Sequence, residues 1–213
     1  MPDKAAYREF DSAQEAEQWS HQHYGDLLNM DPESALYRLI FAYTGSWYLV
    51  LNRLLRTCPT FGTPEFDTAD LGEYEEEKQQ IIEISQILNR HTLPENIIAY
   101  RFTHITDVIS LLGKHWPQKG KVFSDKAFTS TTLVQDLLIG FAEEHRCTCL
   151  LKIFLPKGIH GACVSFKTSK TLLNEQEFLL PPNVKMRIKK VHYFTWPIQI
   201  DCIALLDERR TLA

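Results

Sequence analysis

Residues 73–101 read EYEEEKQQIIEISQILNRHTLPENIIAYR, and the chain changes its pattern once, inside this stretch. In residues 73–90 the apolar side chains recur at helical spacing, which predicts an amphipathic helix with one buried stripe. Residues 96–101 form a short apolar run that is typical of a strand. The stretch therefore divides the chain into a mainly helical part, residues 1–90, and a mainly β part, residues 91–213.

Two signals predict helices near the start of the chain. Residues 12–24 have the pattern of a surface helix. Farther along, Asp31 followed by Pro32 is typical of an N-cap with proline at the first helical position, because proline needs no hydrogen-bond acceptor there. We therefore expect a second helix to begin at Asp31.

That second helix is strongly apolar and contains an interruption. It reads ALYRLIFAY over residues 35–43, breaks at Thr-Gly-Ser in residues 44–46, and resumes as WYLVLNRLLR over residues 47–56. Residues 57–72, which carry prolines, glycines and acids, predict a loop. The N-terminal third is therefore expected to supply helices only.

The remainder of the chain is rich in short β-type runs. Besides residues 96–101, strands are predicted at residues 127–133, 147–155, 161–166, 177–180, 184–193 and 198–206, the last two as a terminal hairpin. Helices followed by strands are the segregated pattern of an α+β fold, since parallel α/β folds alternate the two. A length of 213 residues suits one domain.

Composition excludes several classes of protein. The chain is 44% hydrophobic with a net charge of −4, and no apolar run approaches the ~18 residues of a membrane span. The polar N-terminus argues against a signal peptide. Five cysteines without metal-ligand spacing predict buried thiols in a reducing compartment and no metal site. The negative net charge and the lack of a basic stripe argue against a nucleic-acid partner. The acidic segment 65–77 and the basic segment 185–190 are expected to be solvated faces.

Glu175 and Glu177 are the first candidates for chemistry. They lie in LLNEQEFLLPPN (172–183), and in an extended segment residues two apart point to the same face. Two such carboxylates roughly 7 Å apart repel by about 2 kcal/mol at an effective dielectric of ~20. This arrangement suits a site that stabilises developing positive charge and handles a proton. The alternative is a solvated loop that enters a strand.

A polar line runs along an otherwise apolar helix. Tyr48, Asn52 and Arg56 recur every four residues, with Tyr43 at the end of the preceding helix. Solvent could satisfy these side chains, and so could a ligand that carries hydroxyls, an amide and phosphates. Arg101 ends an apolar strand, where it either reaches water or clamps a phosphate.

Ser130 and Thr132 are hydroxyl residues in FTSTTL, and strand alternation places them on the same face. Either they face solvent, or one of them holds a glutamate in a fixed rotamer. The chain has no Gly-rich phosphate loop and no G-x-S-x-G elbow, which argues against the common nucleotide and serine-hydrolase sites.

Taken in order, AYRFT, FTSTT and NEQEFLLPPN resemble the Arg-Ser-Glu signature of the mono-ADP-ribosyltransferase exoenzymes, in particular the arginine-modifying branch with the enzymatic components of clostridial binary toxins. YTGSWYLVLNRLLR and LLKIFLPKGIHGACVS are also similar to segments of that family, so the resemblance runs from about residue 35 to the C-terminus. It implies an α+β fold with N-terminal helices on a mixed core of two small antiparallel-rich β-sheets around an NAD cleft.

The resemblance also implies roles. Arg101 would bind the NAD phosphates and ribose, Ser130 would orient Glu177, and Glu177 would hydrogen-bond the nicotinamide ribose. Glu175 would position and deprotonate an acceptor arginine, because a guanidinium is protonated at neutral pH. Phe166 would recognise the substrate. The residues expected to line the NAD cleft are Tyr43, Tyr48, Asn52, Arg56, Thr132, Phe141 and Arg146. The chain departs from the family where Phe102 follows the arginine and where Thr132 ends Ser-Thr-Thr.

Three functions are consistent with these residues. The first is an NAD-dependent protein-arginine mono-ADP-ribosyltransferase, a bacterial toxin or effector that is exported without a classical signal peptide and acts in a target cytoplasm. Its partners would be a target protein with an accessible arginine and an immunity protein, with no membrane partner. The second is an NAD glycohydrolase of the same fold. The third is a non-catalytic interaction module.

Overall fold

The computed structural model describes residues 6–58, 72–165 and 175–206. We number the elements in chain order. The helices are α1 (Ala13–Leu28), α2 (Ala35–Ala42), α3 (Tyr48–Thr57), α4 (Glu75–Arg90), α5 (Ile105–Leu111) and α6 (Ile139–Glu144). The strands are β1 (Ile97–Thr103), β2 (Val122–Phe123), β3 (Thr129–Thr132), β4 (Cys149–Leu155), β5 (Ala162–Cys163), β6 (Glu177–Leu180), β7 (Met186–His192) and β8 (Ile198–Ala204).

The predicted change from helix to strands after residue 90 is confirmed. Helix α4 buries Ile81, Ile84, Ile87 and Leu88 on one face, and β1 follows it directly in the element order. Burial of one apolar stripe, rather than helix propensity, is what stabilises a surface helix of this length. The same stripe joins α4 to the main hydrophobic core of the protein.

The junction between α2 and α3 differs from the prediction. The chain does not break at residues 44–46, because a π-helical turn, Tyr43–Trp47, connects the two helices with helical dihedral angles on both sides. Such a turn inserts an extra residue and rotates the following helix face, and it is common at functional sites. Its first residue, Tyr43, is buried.

The N-cap prediction is also corrected. Helix α2 is capped by Ser34, whose hydroxyl accepts a hydrogen bond from the Tyr37 amide at 3.2 Å. Asp31 instead accepts from the Glu33 amide at 2.9 Å, two residues on, so it forms an Asx turn. Serine and aspartate are both common N-cap residues, and the backbone geometry determines which of them caps the helix.

All the described strands form one sheet in the order β2-β7-β8-β4-β1-β3-β6-β5. Strands β4 and β8 pair in parallel and the other pairs are antiparallel, so the sheet is mixed as expected. The expected pair of small sheets is instead continuous, because β1 and β3 are joined through the register pair Tyr100 and Thr132. This short ladder divides the sheet into a five-stranded and a three-stranded part.

Several short elements were not predicted. Helices α5 and α6 and strand β2 are too short to show a hydrophobic period of their own. Helix α5 begins where the Asp107 carboxylate accepts from the His104 amide at 3.3 Å, which is a cap and not a periodicity signal. Tertiary contacts therefore decide where these elements form.

The interior agrees with the composition. All five cysteines are buried, as predicted: Cys58, Cys147, Cys149, Cys163 and Cys202. Alternate residues of β1 face different environments, since Ile97 and Ala99 belong to the main core while Ile98 and Tyr100 belong to a smaller cluster. Among the described residues, none of the helices has both the length and the apolar composition needed to cross a bilayer.

Candidate active site

Arg101 and Ser130 meet where β1 and β3 adjoin. The Arg101 Nη1 donates to the Ser130 carbonyl oxygen at 2.8 Å. Strand alternation places Arg101 on the same face of β1 as Ala99, toward the main core. One guanidinium nitrogen is therefore held by the backbone of the neighbouring strand. The fork still has other N–H groups that can bind a ligand.

Glu177 is placed beside them at the first position of β6. It pairs in register with Thr132 on β3, and its amide donates to the Ser165 hydroxyl. The Ser130 side chain is hydrogen-bonded to its carboxyl group. Glu177 is only 9% exposed. The three residues of the sequence signature, Arg101, Ser130 and Glu177, thus form one contiguous group.

Burial dominates the electrostatics of Glu177. Desolvation raises its pKa from 4.5 to about 7, and repulsion from Glu175 acts in the same direction. The hydrogen bond from Ser130 and the charge of Arg101 lower the pKa and offset part of this shift. The carboxyl is therefore poised to change protonation state near neutral pH, which is common in catalytic acids and bases.

This pKa shift predicts how stability depends on pH. The folded protein retains a proton on Glu177 between pH 4.5 and about 7, whereas the unfolded chain releases it. The contribution of this group to the free energy of unfolding therefore falls as pH rises through that window, by roughly 3 kcal/mol in total. Urea unfolding of wild type and Glu177→Gln across the window should show this extra loss only in wild type. Parallel pH profiles of the two proteins would contradict the assigned shift.

The backbone between Glu175 and Glu177 is not extended as predicted. Strand β6 begins only at Glu177, and Gln176 has a φ of 48°, so the Glu-x-Glu segment is not a simple extended strand. The segment is held to β3 by the Thr132 hydroxyl, which donates to the Glu175 carbonyl at 2.5 Å, and by the Leu133 amide, which donates to the Gln176 carbonyl at 3.0 Å. The two acids nevertheless interact electrostatically, and burial raises the pKa of Glu175.

Helix α3 and the π-helical turn before it contact the residue just ahead of β3. The Asn52 side chain is buried, with Nδ2 donating to the Tyr43 hydroxyl at 3.3 Å and Oδ1 accepting from the Phe128 amide at 3.1 Å. The Tyr43 ring contacts the Phe128 ring edge to face, with centroids 5.3 Å apart. Burial raises the pKa of Tyr43, and the negative charge of Glu177 acts in the same direction. Asn52 thus ties the helices to the strand that carries Ser130.

Arg56 has a partner that sequence reasoning missed. Its Nε and Nη2 donate to the two carboxylate oxygens of Asp125 at 3.0 and 2.6 Å, a bidentate ion pair. Asp125 also accepts from the Ala127 amide at 3.0 Å, so it is fixed just ahead of β3. Tyr48, at the other end of the polar line, is 40% exposed. An arginine on a helix face often pairs with a carboxylate. The spacing of residues within the helix does not show which carboxylate that is.

Comparisons with known proteins identify the family of this chain. A family model described as ADP-ribosyltransferase exoenzyme matches residues 16–202, which is most of the chain. This protein belongs to the ADP-ribosyltransferase exoenzyme family. Among curated protein sequences, no significant match was found.

Solved structures of ADP-ribosyltransferases share the fold. A C3 enzyme from S. aureus, solved with NAD, superposes with a TM-score of 0.72 at 17% identity, covering 95% of this chain and 100% of that one. The C3 exoenzyme of Clostridium limosum gives 0.71 at 16% identity, covering 94% and 98%. An ADP-ribosylating component of a binary enterotoxin of C. perfringens, solved with NADH, gives 0.69 at 23% identity, covering 93% of this chain and 50% of that one.

Two further residues that the family resemblance singled out, Phe141 and Arg146, lie in and just after helix α6. Phe141 on α6 is partly exposed and contacts the His145 ring, with centroids 4.2 Å apart. Arg146 has a φ of 51° and lines a cavity of about 750 Å³ together with Phe102, next to Arg101 on β1. Adjacent strand residues point to opposite faces, so this cavity lies across β1 from the core side. Phe166 is outside the described residues.

Proposed function

We propose that this protein is an NAD-dependent mono-ADP-ribosyltransferase that modifies arginine side chains. The observation that carries the proposal is the contiguous group of Arg101, Ser130 and Glu177, with Glu175 electrostatically coupled to it. Membership of the ADP-ribosyltransferase exoenzyme family supports transfer of ADP-ribose. The related structures solved with NAD and NADH support NAD as the donor.

The group suits a reaction through a cationic sugar. Arg101 would hold the phosphates of NAD, since a guanidinium fork matches phosphate oxygens. Ionised Glu177, oriented by Ser130, would accept a hydrogen bond from the nicotinamide ribose. As the glycosidic C–N bond breaks, its electron pair leaves with nicotinamide and positive charge develops on the ribose. The buried carboxylate stabilises that charge more strongly than it would in water.

Glu175 would complete the transfer. An acceptor guanidinium must lose a proton before its nitrogen can attack the ribose carbon, and Glu175 is the second carboxylate in reach. One new C–N bond forms, nicotinamide is released, and one proton passes from the acceptor through Glu175 to solvent. Burial raises the pKa of Glu175, which makes its carboxylate a better base than an exposed glutamate.

Glu175→Gln separates transfer from donor cleavage. We expect transfer to a guanidino acceptor to fall by about 10²-fold or more, because general-base catalysis contributes that much, while nicotinamide release into water persists. Labelled NAD with agmatine, followed by separation of products, measures both rates. Glu144→Gln, which changes an exposed glutamate, is the matched control. Equal transfer by Glu175→Gln and wild type would remove Glu175 from the acceptor role, and nicotinamide release without transfer by wild type would indicate a glycohydrolase.

The biological setting follows from the same proposal. Several structural relatives carry the word toxin in their names. We propose that this protein is likewise a bacterial toxin or effector that acts on a protein in a target cytoplasm, and that its producer protects itself with an immunity protein. Mass spectrometry of lysates from bacterial and eukaryotic cells, after incubation with enzyme and NAD, would identify the modified arginine.

A further inference from the structure

The turn between β7 and β8 exposes an unusual cluster of aromatic side chains. Phe194 is fully exposed at 104%, Trp196 is 79% exposed and Tyr193 is 51% exposed. The Tyr193 hydroxyl donates to the Pro117 carbonyl at 3.2 Å, which brings the 45% exposed Trp116 to the same end of the molecule. We call these four aromatic residues, Trp116, Tyr193, Phe194 and Trp196, the aromatic tip. Large exposed apolar groups of this kind are costly in water and mark interaction sites.

Basic residues lie on residues 112–124 and 184–200, the two segments that carry this tip. Residues 119–121 run beside β7, because the Gly120 amide donates to the Ile188 carbonyl at 2.8 Å and the Ile188 amide donates to the Lys121 carbonyl at 2.9 Å. Four exposed lysines of these segments form what we call the basic collar: Lys114, Lys119, Lys121 and Lys190. Lys189 adds a fifth cation and lies over the Phe154 ring, 4.6 Å from its centroid.

Acidic residues are absent from the sequence segments that carry this surface, although Glu143 on α6 lines the same cavity as Trp196. The two segments that build it, residues 112–124 and 184–200, contain no Asp or Glu, although the whole chain carries a net charge of −4. The nearest acid in these strands is Asp201, which pairs in register with Lys190 and binds His192 Nε2 at 3.0 Å and Gln199 Nε2 at 2.8 Å. These two segments are therefore locally basic, which favours contact with anions.

The shape of the surface favours a bilayer over a nucleic acid. Single strands bind in basic grooves where aromatic rings stack on successive bases, whereas Phe194 projects from a turn into solvent. Aromatic side chains beside lysines suit the interface of an anionic membrane, where the rings enter the headgroup region and the cations meet phosphates. Although the sequence alone predicted no membrane partner, we infer that the aromatic tip and basic collar dock the protein on membranes that contain anionic phospholipid.

Vesicle sedimentation tests this inference without reference to catalysis. The 213-residue chain should bind phosphatidylserine-containing vesicles and not pure phosphatidylcholine vesicles, and high salt should weaken binding. Phe194→Ala with Trp196→Ala should lower the partition coefficient by about tenfold or more, since each ring contributes burial of a large apolar side chain. Lys121→Gln with Lys190→Gln should lower it by roughly tenfold.

Matched variants control for exposure and charge. Tyr74→Ala removes an exposed aromatic that stands among acids at the start of α4, and it should leave vesicle binding unchanged. Arg90→Gln with Lys157→Gln removes two exposed cations elsewhere and should weaken binding by much less than the collar variant. Thermal unfolding should show that the tip variants remain folded, because Phe194 has no buried surface to lose.

Three outcomes would overturn the inference. One is equal binding of wild type and the tip variant to phosphatidylserine vesicles. Another is equal binding of wild type to neutral and anionic vesicles. The third is binding to a single-stranded oligonucleotide without binding to vesicles, which would assign the surface to nucleic acid instead.

Discussion

Glu177→Gln is expected to abolish both nicotinamide release and ADP-ribose transfer, with kcat lower by about 10³-fold. The neutral amide keeps the shape of the side chain and its bond to Ser130, but it cannot stabilise a cationic ribose by charge. Both activities depend on breaking the same glycosidic bond, so both should fall together. Release of nicotinamide from NAD, followed by chromatography under saturating donor, measures the effect.

The stability of this variant provides the decisive control. A buried carboxylate with a pKa of about 7 is costly to ionise, so its replacement by glutamine should leave the free energy of unfolding at pH 8 unchanged or raise it. A variant that keeps this stability and loses activity has lost a chemical group and not its fold. In wild type, kcat/KM should rise with pH through about 7 as Glu177 loses its proton. Near wild-type turnover in Glu177→Gln would exclude the proposed chemistry.

Arg101→Lys is expected to reduce kcat/KM by about 10²-fold, although it preserves the positive charge. The guanidinium donates one N–H to the Ser130 carbonyl and has others for phosphate, whereas a lysine ammonium is a single point charge that cannot span both. Loss of the backbone contact should also displace Ser130 from Glu177. The loss should be largest at low NAD, where binding limits the rate.

Arg53→Lys, an exposed position on α3, is the matched control and should retain wild-type kinetics. A shift of the pH profile of kcat/KM to higher pH in Arg101→Lys would support the link through Ser130, because both Ser130 and Arg101 lower the pKa of Glu177. Identical kinetics of Arg101→Lys and wild type would mean that any cation serves at this position and that the phosphate clamp is not formed by Arg101.

The fold class could be predicted because periodicity is local. The isoleucine stripe of α4 and the apolar run of β1 each lie within one element, so neighbouring residues carry the whole signal. The π turn at Tyr43 and the short helices α5 and α6 depend on packing against distant strands. A sequence window that short has no period to detect.

The sequence predicted which residues belong to the candidate site, but it did not predict all of their contacts. Arg101, Ser130, Glu175 and Glu177 were found because an ordered signature names them. Asp125 was missed because its bidentate pairing with Arg56 spans 69 residues of sequence. Local spacing contains no information about a contact at that separation. The left-handed conformation of Gln176 likewise follows from hydrogen bonds to β3, and alternation alone predicted an extended segment.

By itself the sequence determined which groups this protein has for chemistry: a guanidinium, a hydroxyl and two carboxylates, in an order that resembles one family of transferases. Only the tertiary structure decided the state of those groups. The pKa of Glu177 depends on how much water the surrounding strands exclude, and the aromatic tip is exposed because no described segment covers it. Solvation is a property of the folded surface, since it depends on residues that are distant in the chain and adjacent in space.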